Sequence, residues 1–374
     1  MSWKRLFSRS LAADPERRHV AAHSHHLWPD AAFEGHAQAA EDAARLADRK
    51  WDRVMGPLWA EAQAEVAAEL GLPDPATIAF SSNTHDFLLR MVSALPQRPL
   101  RMLATNGEFH SFSRQVARWV ESGDVLLETA PPDTLADRAE AGGFDLVFAS
   151  QVLFGSGAIL PGIDRLAALA RPEGPWVVLD LYHAFMAMPV DFAAYADRLF
   201  LLGGGYKYAM AGEGACWLHA PPGFAPRPTA TGWYAAFEDL AGADRGVGYA
   251  PDGRRFLGST FDPSGLYRFV AVRRMLAREG LSTAAISAHV TALQHGFVRA
   301  ATMQGFTLLN PPGEGPQARF LAWRGKGAAA LHDALMARNV VTDVRGDVLR
   351  IGFGLYHDES DVDRLVAHIA MCRE

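Results

Sequence analysis

The strongest constraint on the fold is a regular alternation of short apolar runs with amphipathic segments. The runs have the length and residue types of buried strands, and segments between them, such as residues 86–94 and 112–119, have helical spacing. The runs lie at residues 77–80, 101–104, 125–127, 145–149, 176–179 and 198–202. Because such alternation is typical of an α/β domain, we predict a largely parallel sheet flanked by helices.

The remaining segments predict a helical N-terminal region and a smaller C-terminal domain. Residues 29–71 have apolar side chains at helical spacing and predict one or two helices that stop at Gly71. Towards the C-terminus, helical patterns are followed by strand-like runs that frame a further helix. The helices are predicted at 264–279, 281–304 and 328–338, and the strands at 305–309, 320–323 and 348–353. Since 374 residues exceed the usual size of one core, we predict an N-terminal segment at 1–20, a large α/β domain at 21–280 and a small α+β domain at 281–374.

Composition excludes several classes of protein. The chain has 36 Lys and Arg against 42 Asp and Glu, with no basic stripe, so a nucleic-acid partner is not expected. The two cysteines, Cys216 and Cys372, lie far apart, which argues against a disulfide framework or a zinc site and favours a cytoplasmic location. Charges interrupt the N-terminal apolar residues, and Gly and Pro interrupt the longest uncharged stretch, residues 146–163. Neither a secretory signal nor a membrane partner is therefore expected.

Lysine is scarce in this chain, and one lysine occupies a conspicuous position. The lysines are Lys4, Lys50, Lys207 and Lys326, whereas arginine supplies the other positive charges. Lys207 follows an apolar run and three glycines, and it stands between two tyrosines. An amine can lose its proton and form a Schiff base, which a guanidinium cannot do, so we interpret Lys207 as a reactive amine. The alternative is a lysine that extends from a strand end into solvent.

Two further segments add a carboxylate and an anion site. The strand predicted at 176–179 is followed by Asp180, with His183 three residues later. In an open α/β sheet, ligands bind beyond the carboxyl ends of strands, where Asp180 could hold a protonated pyridine nitrogen; the alternative is a helix cap. Residues 81–84 place hydroxyl and amide side chains, among them Asn83 and Thr84, at the start of a helix. This arrangement suits a phosphate monoester, although simple N-capping also explains it.

In this order, the three pieces resemble the class V aminotransferase group of fold-type I pyridoxal-phosphate enzymes, and within it the kynureninases. The resemblance spans nearly the whole chain and implies the type I fold, with a mostly parallel seven-stranded sheet, and pyridoxal 5'-phosphate as cofactor. It implies Lys207 as the lysine that carries the cofactor, Asp180 on the pyridine nitrogen and His183 along the cofactor face. The other implied cofactor ligands are Asn83 and Thr84 at the phosphate, Tyr206 at the phosphate, and Phe109 stacked on the ring.

The same resemblance implies a homodimer with shared active sites and an amino-acid substrate. Residues 232–234, with Trp233, and residues 255–260, with Thr260, are similar to loops that reach the neighbouring subunit's cofactor. Arg350 falls on the arginine that binds the substrate α-carboxylate, a role that suits a bidentate fork. Residues 22–26 read Ala-His-Ser-His-His where kynureninases have Gly-Asn-Ser-Leu-Gly. We place Ser24 and His25 on the substrate side, and we expect no metal because the run lacks carboxylate or thiolate partners.

The activity that the resemblance implies is hydrolytic Cβ–Cγ cleavage of a 3-acylalanine such as L-kynurenine. The alternatives are a class V aminotransferase, a β-lyase, or a catalytically idle relative that retains the cofactor. Neither Cys216, in a strand-like run, nor Cys372, near the end of the chain, has the loop context of a persulfide-forming nucleophile. A cysteine desulfurase is therefore disfavoured.

Overall fold

The computed structural model describes residues 2–237 and 246–372. The strands are β1 (Arg18–His19), β2 (Ile78–Ser81), β3 (Leu100–Thr105), β4 (Val125–Ala130), β5 (Leu146–Ser150), β6 (Trp176–Asp180), β7 (Leu199–Gly203), β8 (Cys216–His219), β9 (Thr307–Leu308), β10 (Leu321–Arg324), β11 (Val340–Val341), β12 (Asp343–Arg345) and β13 (Val348–Ile351). The α-helices are α1 (Ser8–Ala12), α2 (Asp30–Leu46), α3 (Lys50–Arg53), α4 (Trp59–Leu70), α5 (Thr84–Ala94), α6 (His110–Glu121), α7 (Leu135–Glu140), α8 (Ile163–Leu169), α9 (Ser264–Arg278), α10 (Thr283–Ala300), α11 (Ala328–Met336) and α12 (Glu359–Met371).

The central sheet has seven strands in the order β2-β8-β7-β6-β5-β3-β4. Neighbours from β7 to β4 are parallel, whereas β8 is antiparallel to both β7 and β2. Every residue of β5, β6 and β7 is buried, as expected for strands covered by helices on both faces. The prediction of a mostly parallel seven-stranded α/β sheet is confirmed, and each apolar run from 77 to 202 forms a strand within a few residues of its predicted position.

The predicted helices are also present, with small differences at their ends. The N-terminal region contains two principal helices, α2 and α4, and Gly71, the C-cap of α4, has the left-handed conformation with φ of 70°. Glycine takes this conformation without the penalty that a Cβ atom brings. The segment predicted as a strand at 305–309 shortens to β9, because only Thr307 and Leu308 pair with β10.

The C-terminal part has its own apolar core around a small antiparallel sheet. The sheet order is β12-β13-β10-β9, and Phe297 of α10 and Leu335 of α11 are fully buried beside it. The N-terminal strand β1 pairs in parallel with β11, and Val20 joins this second core. The end of the N-terminal segment therefore packs against the C-terminal part, whereas Leu6 and Phe7 of the same segment join the large core. The domain boundaries given above stay a prediction.

Among residues 2–237 and 246–372, no helix combines the length and the apolar character that a membrane-crossing helix needs.

A buried histidine at the end of β8 leads to a prediction about stability. His219 Nε2 donates to the carbonyl of Ala196 at 2.9 Å, and its Nδ1 lies 2.8 Å from the Thr77 hydroxyl. Burial lowers the pKa of His219 from 6.5 to about 4. The unfolded chain therefore takes up this proton at a higher pH than the folded chain, and the free energy of unfolding falls as pH decreases from about 6.5 to about 4.

We expect this histidine to contribute about 3 kcal/mol to that loss, at roughly 1.4 kcal/mol per pKa unit. Urea unfolding at several pH values measures it, and His219→Gln should remove this share of the pH dependence. The control is His295→Gln, on the half-buried face of α10. Equal pH dependence in His219→Gln and the wild type would contradict the assignment.

Candidate active site

A large cavity lies at the carboxyl edge of the central sheet. Its volume is about 1010 Å³, and it is lined by Ser150 and Asp180, the last residues of β5 and β6. The turn after β7, the N-terminus of α5, one side of α6 and Arg345 of β12 contribute to its other walls. Of the predicted site residues, it brings together Asn83, Thr84, Phe109, Asp180, His183, Tyr206 and Lys207.

Lys207 is buried in this cavity beside a histidine and an aromatic ring. Its Nζ is hydrogen-bonded to His183 Nε2 at 2.7 Å and lies 4.8 Å from the centre of the Tyr182 ring. Burial lowers the pKa of Lys207 to about 7, although nearby Asp180 opposes this shift. At neutral pH a substantial fraction of this amine is therefore unprotonated, as a nucleophile or a base requires.

Asp180 is a second buried titratable group, one strand away from the Lys207 turn. Its Oδ1 accepts a hydrogen bond from the backbone N–H of Tyr182 at 2.7 Å. Burial raises the pKa of Asp180 to about 6, while that hydrogen bond and the Lys207 charge lower it. A carboxylate and an amine with perturbed pKa values in one cavity are typical of a catalytic site.

The glycines before Lys207 allow a close approach that the sequence alone does not reveal. A Cβ atom on Gly204 would overlap the hydroxyl of Tyr182 and the sulfur of Cys216. These two groups lie 3.4 Å apart, and Tyr182 forms the wall against which the Lys207 amine lies. Burial also raises the pKa of the Cys216 thiol to about 12, so this cysteine is not a thiolate at neutral pH.

The N-terminus of α5 supplies the predicted anion site. Asn83 is its N-cap, and its side-chain oxygen accepts from the backbone N–H of Asp86 at 2.9 Å. Ser82, Asn83 and Thr84 face the cavity, so backbone N–H groups at the positive end of an eleven-residue helix border it.

Phe109 lines the cavity, and the residue before it is a polar group that sequence reasoning missed. The Phe109 ring packs near Phe112 and Phe148, with centroid separations of 6.2 and 6.3 Å. The carboxyl group of Glu108 is enclosed, although part of its side chain is exposed, and it accepts hydrogen bonds from Thr105 and Ser150. No local motif marks Glu108, because its partners come from two different strands.

Arg350 lies behind the cavity wall and is not among its lining residues. Its side chain is 1% exposed; Nη2 donates to Asp343 Oδ2 at 2.5 Å, and Nη1 donates to the Phe154 carbonyl at 2.7 Å. The Phe154 ring, which does line the cavity, stacks 4.3 Å from the guanidinium carbon. Three other arginines line the cavity: Arg114 and Arg118 of α6, and Arg345, which pairs with the other Asp343 oxygen at 2.8 Å.

The histidine run has buried members, His23 and His26, and one exposed member, His25. His23 is fully buried, stacks on Phe320 at 4.9 Å, and its Nε2 lies 3.9 Å from Asp343 Oδ2. His25 is exposed at the rim, where it stacks on Tyr206 at 4.9 Å, and Ser24 bonds to His25 at 3.3 Å. Neither Ser24 nor His25 is among the lining residues of the cavity.

Trp233 and Thr260 also lie outside this chain's cavity. Both are exposed, Trp233 to 43%. Their loops pack together, since the Tyr234 N–H donates to the Gly258 carbonyl at 3.2 Å. The two residues therefore occupy one surface region and do not contact this chain's own Lys207 site.

Metal-ligand geometry is absent from the described parts of the chain. Across residues 2–237 and 246–372, no three His, Cys, Asp or Glu side chains are grouped so that they could hold a metal ion.

Comparisons with known proteins place the fold. Residues 284–369 match the family model of the kynureninase C-terminal domain. Isopenicillin N epimerase from Streptomyces clavuligerus is 28% identical over 342 residues, which are 82% of each chain. Among solved structures, a lysine-to-alanine mutant of C-DES with glycine covalently linked to its PLP cofactor has a TM-score of 0.84 at 17% identity, covering 99% of both chains. The apo cysteine desulfurase of Thermococcus onnurineus NA1 has a TM-score of 0.80 at 18% identity, covering 100% of this chain and 98% of that one.

These likenesses concern the fold of the whole chain and the sequence of its C-terminal part. The structural neighbours cover the whole chain, so both parts of the molecule follow one known architecture. The match at 284–369 falls on the C-terminal part, which includes Arg345 and Arg350. The chain has the fold of the type I pyridoxal-phosphate enzymes, and its resemblance to the class V aminotransferase group, with a kynureninase-like C-terminal region, is confirmed.

Proposed function

We propose that this protein is a pyridoxal-phosphate-dependent enzyme that acts on an α-amino acid. The observation that carries the proposal is the meeting of Lys207, Asp180 and the N-terminus of α5 in one cavity at the carboxyl edge of the sheet. An amine, a carboxylate and a phosphate-binding helix end are the groups that this cofactor needs.

The residues present fit the cofactor. The phosphate suits the N–H groups at Asn83 and Thr84 together with Tyr206, and the pyridine nitrogen suits the Asp180 carboxylate. Phe109 offers an aromatic face, and Lys207 offers the amine for covalent attachment. His183 Nδ1 supports the fit, because this buried atom has no hydrogen-bond partner among the described residues.

Protons at the site are handled by three side chains. When bound, the cofactor supplies an electron sink for the bonds of the substrate Cα. The negative charge of the Asp180 carboxylate would keep the pyridine nitrogen of the cofactor protonated. The Lys207 amine, once free, can take a proton from the substrate Cα, and His183 at 2.7 Å can exchange a proton with it.

For the reaction we propose kynureninase-like cleavage of a 3-acylalanine. Water adds across the Cβ–Cγ bond, so L-kynurenine would give anthranilate and L-alanine. The family match over residues 284–369 supports this choice. Arg350 is our candidate for the substrate carboxylate, since its Nε is buried without a partner among the described residues and Asp343 orients the guanidinium. That role requires the Phe154 ring to move aside.

A second candidate is a β-lyase or an aminotransferase. A complex of C-DES, described as a cystine C–S lyase, with cysteine persulfide has a TM-score of 0.82, which favours the β-lyase within this pair. The protonated Cys216 thiol favours neither reaction and opposes persulfide formation on that residue. A cofactor-binding relative without turnover would retain Lys207 and Asp180 but convert neither class of substrate.

We further propose that the active form is a cytoplasmic homodimer. Exposed Trp233 and Thr260 share one surface region, as expected for residues that serve the partner's site. In such a dimer, Ser24 and His25 at the cavity rim would lie beside the substrate entrance. Sedimentation of the purified protein tests the oligomeric state.

The test of the reaction is to incubate the purified protein, loaded with pyridoxal phosphate, with L-kynurenine and identify the products by chromatography. We expect anthranilate and alanine in equal amounts. Cystine and a set of transaminase substrates with a 2-oxo acid acceptor are run in parallel. Pyruvate from cystine, or a new amino acid from the acceptor, would replace the kynureninase-like reaction with the second candidate.

A further inference from the structure

We propose that Glu108 is a positioning residue that fixes the turn carrying Phe109 against the strand edge that carries Asp180. The inference rests on the proposed function, because Phe109 and Asp180 are its candidate cofactor contacts. Glu108 itself is not among the lining residues of the cavity and would act through these neighbours.

The hydrogen bonds of Glu108 join two neighbouring strands. Thr105, the last residue of β3, donates its hydroxyl to Oε1 at 2.5 Å. Ser150, the last residue of β5, donates its backbone N–H to Oε1 at 2.9 Å and its hydroxyl to Oε2 at 2.6 Å. Because β3 and β5 are adjacent and parallel, the Glu108 side chain connects their carboxyl ends, next to the turn that carries Phe109.

The same bonds connect the turn to Asp180. Ser150 is in register with Asp180 in the β5–β6 ladder, and the next N–H, of Gln151, donates to the Asp180 carbonyl at 2.9 Å. On the other side, Thr105 accepts a hydrogen bond from the N–H of Gly107 at 3.4 Å. Glu108 is thus the link between the backbone around Asp180 and the backbone that presents the Phe109 ring.

The geometry of Glu108 matters here more than its charge. Burial raises the pKa of Glu108 to about 7, so a substantial fraction of this carboxyl group is protonated and uncharged at neutral pH. A glutamine would preserve the pattern, since its amide oxygen can accept from Thr105 and from the Ser150 N–H while its NH₂ donates to the Ser150 hydroxyl. An alanine would leave these buried donors without partners and release the turn.

The experiment measures pyridoxal-phosphate affinity and the visible circular dichroism of the bound cofactor, neither of which depends on turnover. We expect Glu108→Ala to weaken binding by about 10- to 100-fold and to reduce the dichroic signal, as the loss of buried hydrogen bonds implies. Glu108→Gln should stay within about threefold of the wild type. Glu41→Ala, at an exposed position of α2, is the matched control.

A milder variant guards against misfolding of Glu108→Ala. Thr105→Val keeps the side-chain shape, removes one donor, and should weaken binding by roughly 3- to 10-fold. Wild-type affinity in both Glu108→Ala and Thr105→Val would overturn the inference, and so would a Glu108→Gln variant as weak as Glu108→Ala, since charge would then be the cause. If the wild type fails to bind the cofactor, the proposed function fails and this inference fails with it.

Discussion

Replacing Lys207 by alanine is expected to abolish covalent attachment of pyridoxal phosphate and to reduce turnover by at least about 10³-fold. Lys207 is the only lysine among the residues that line the described cavity, and its pKa of about 7 leaves much of the amine unprotonated at neutral pH. Loss of the attaching amine also removes the candidate base at the substrate Cα, which by itself is worth roughly 10²–10⁴ in rate. Borohydride reduction followed by peptide mass spectrometry should find the cofactor on Lys207 in the wild type and on no peptide of Lys207→Ala.

The matched control is Lys326→Ala, which removes an exposed lysine from the loop before α11. This variant should retain both labelling and turnover. We also expect Lys207→Ala to bind the cofactor non-covalently, because the α5 N-terminus and Asp180 remain. Stoichiometric reduction onto another lysine in both proteins, with turnover intact in Lys207→Ala, would remove Lys207 from the centre of the proposed mechanism.

The positions of Asp180 and Lys207 could be predicted because Asp180 ends a fully buried strand and Lys207 lies four residues after the end of another. Such strands read as uninterrupted apolar runs, and parallel strands bring their carboxyl ends to one edge of the sheet. A residue at the end of such a run, or within a short turn after it, can therefore be placed at that edge from the sequence alone. The helix after residue 83 could also be predicted from the sequence, because Asn83 is a strong N-cap.

Other site residues could not be predicted because they depend on irregular backbone or on distant pairs. Residues 22–26 form no helix or long strand, so no periodicity predicts which histidines point inward; His23 and His26 are buried, whereas His25 is exposed. The hydrogen bonds of Glu108 come in part from Ser150, 42 positions away, and no sequence feature near Glu108 predicts that contact. Asp343 faces Arg350 only because β12 and β13 pair as a tight hairpin in a specific register.

Replacing Asp180 by asparagine is expected to reduce turnover by about 10²–10⁴-fold while cofactor affinity changes by less than about tenfold. Asparagine has nearly the same volume and can still accept the Tyr182 N–H, so the cavity should keep its shape. The negative charge that would hold a proton on the pyridine nitrogen is lost, and the cofactor becomes a poorer electron sink. Single-turnover rates and equilibrium titrations with pyridoxal phosphate separate these two effects.

The same substitution should change the pKa of Lys207, and the structure determines the direction of this change. Asp180 raises the pKa of Lys207 and so opposes the effect of burial. Without that charge, the Lys207 pKa should fall below its wild-type value of about 7, and the rate at which the apoprotein captures pyridoxal phosphate should reach its plateau at a lower pH. Asp133→Asn, at an exposed position before α7, is the control and should leave the profile unchanged. If the pH dependence of cofactor capture in Asp180→Asn stays in place or moves to higher pH, Asp180 and Lys207 are not electrostatically linked. Full turnover in that variant would exclude Asp180 from the chemistry.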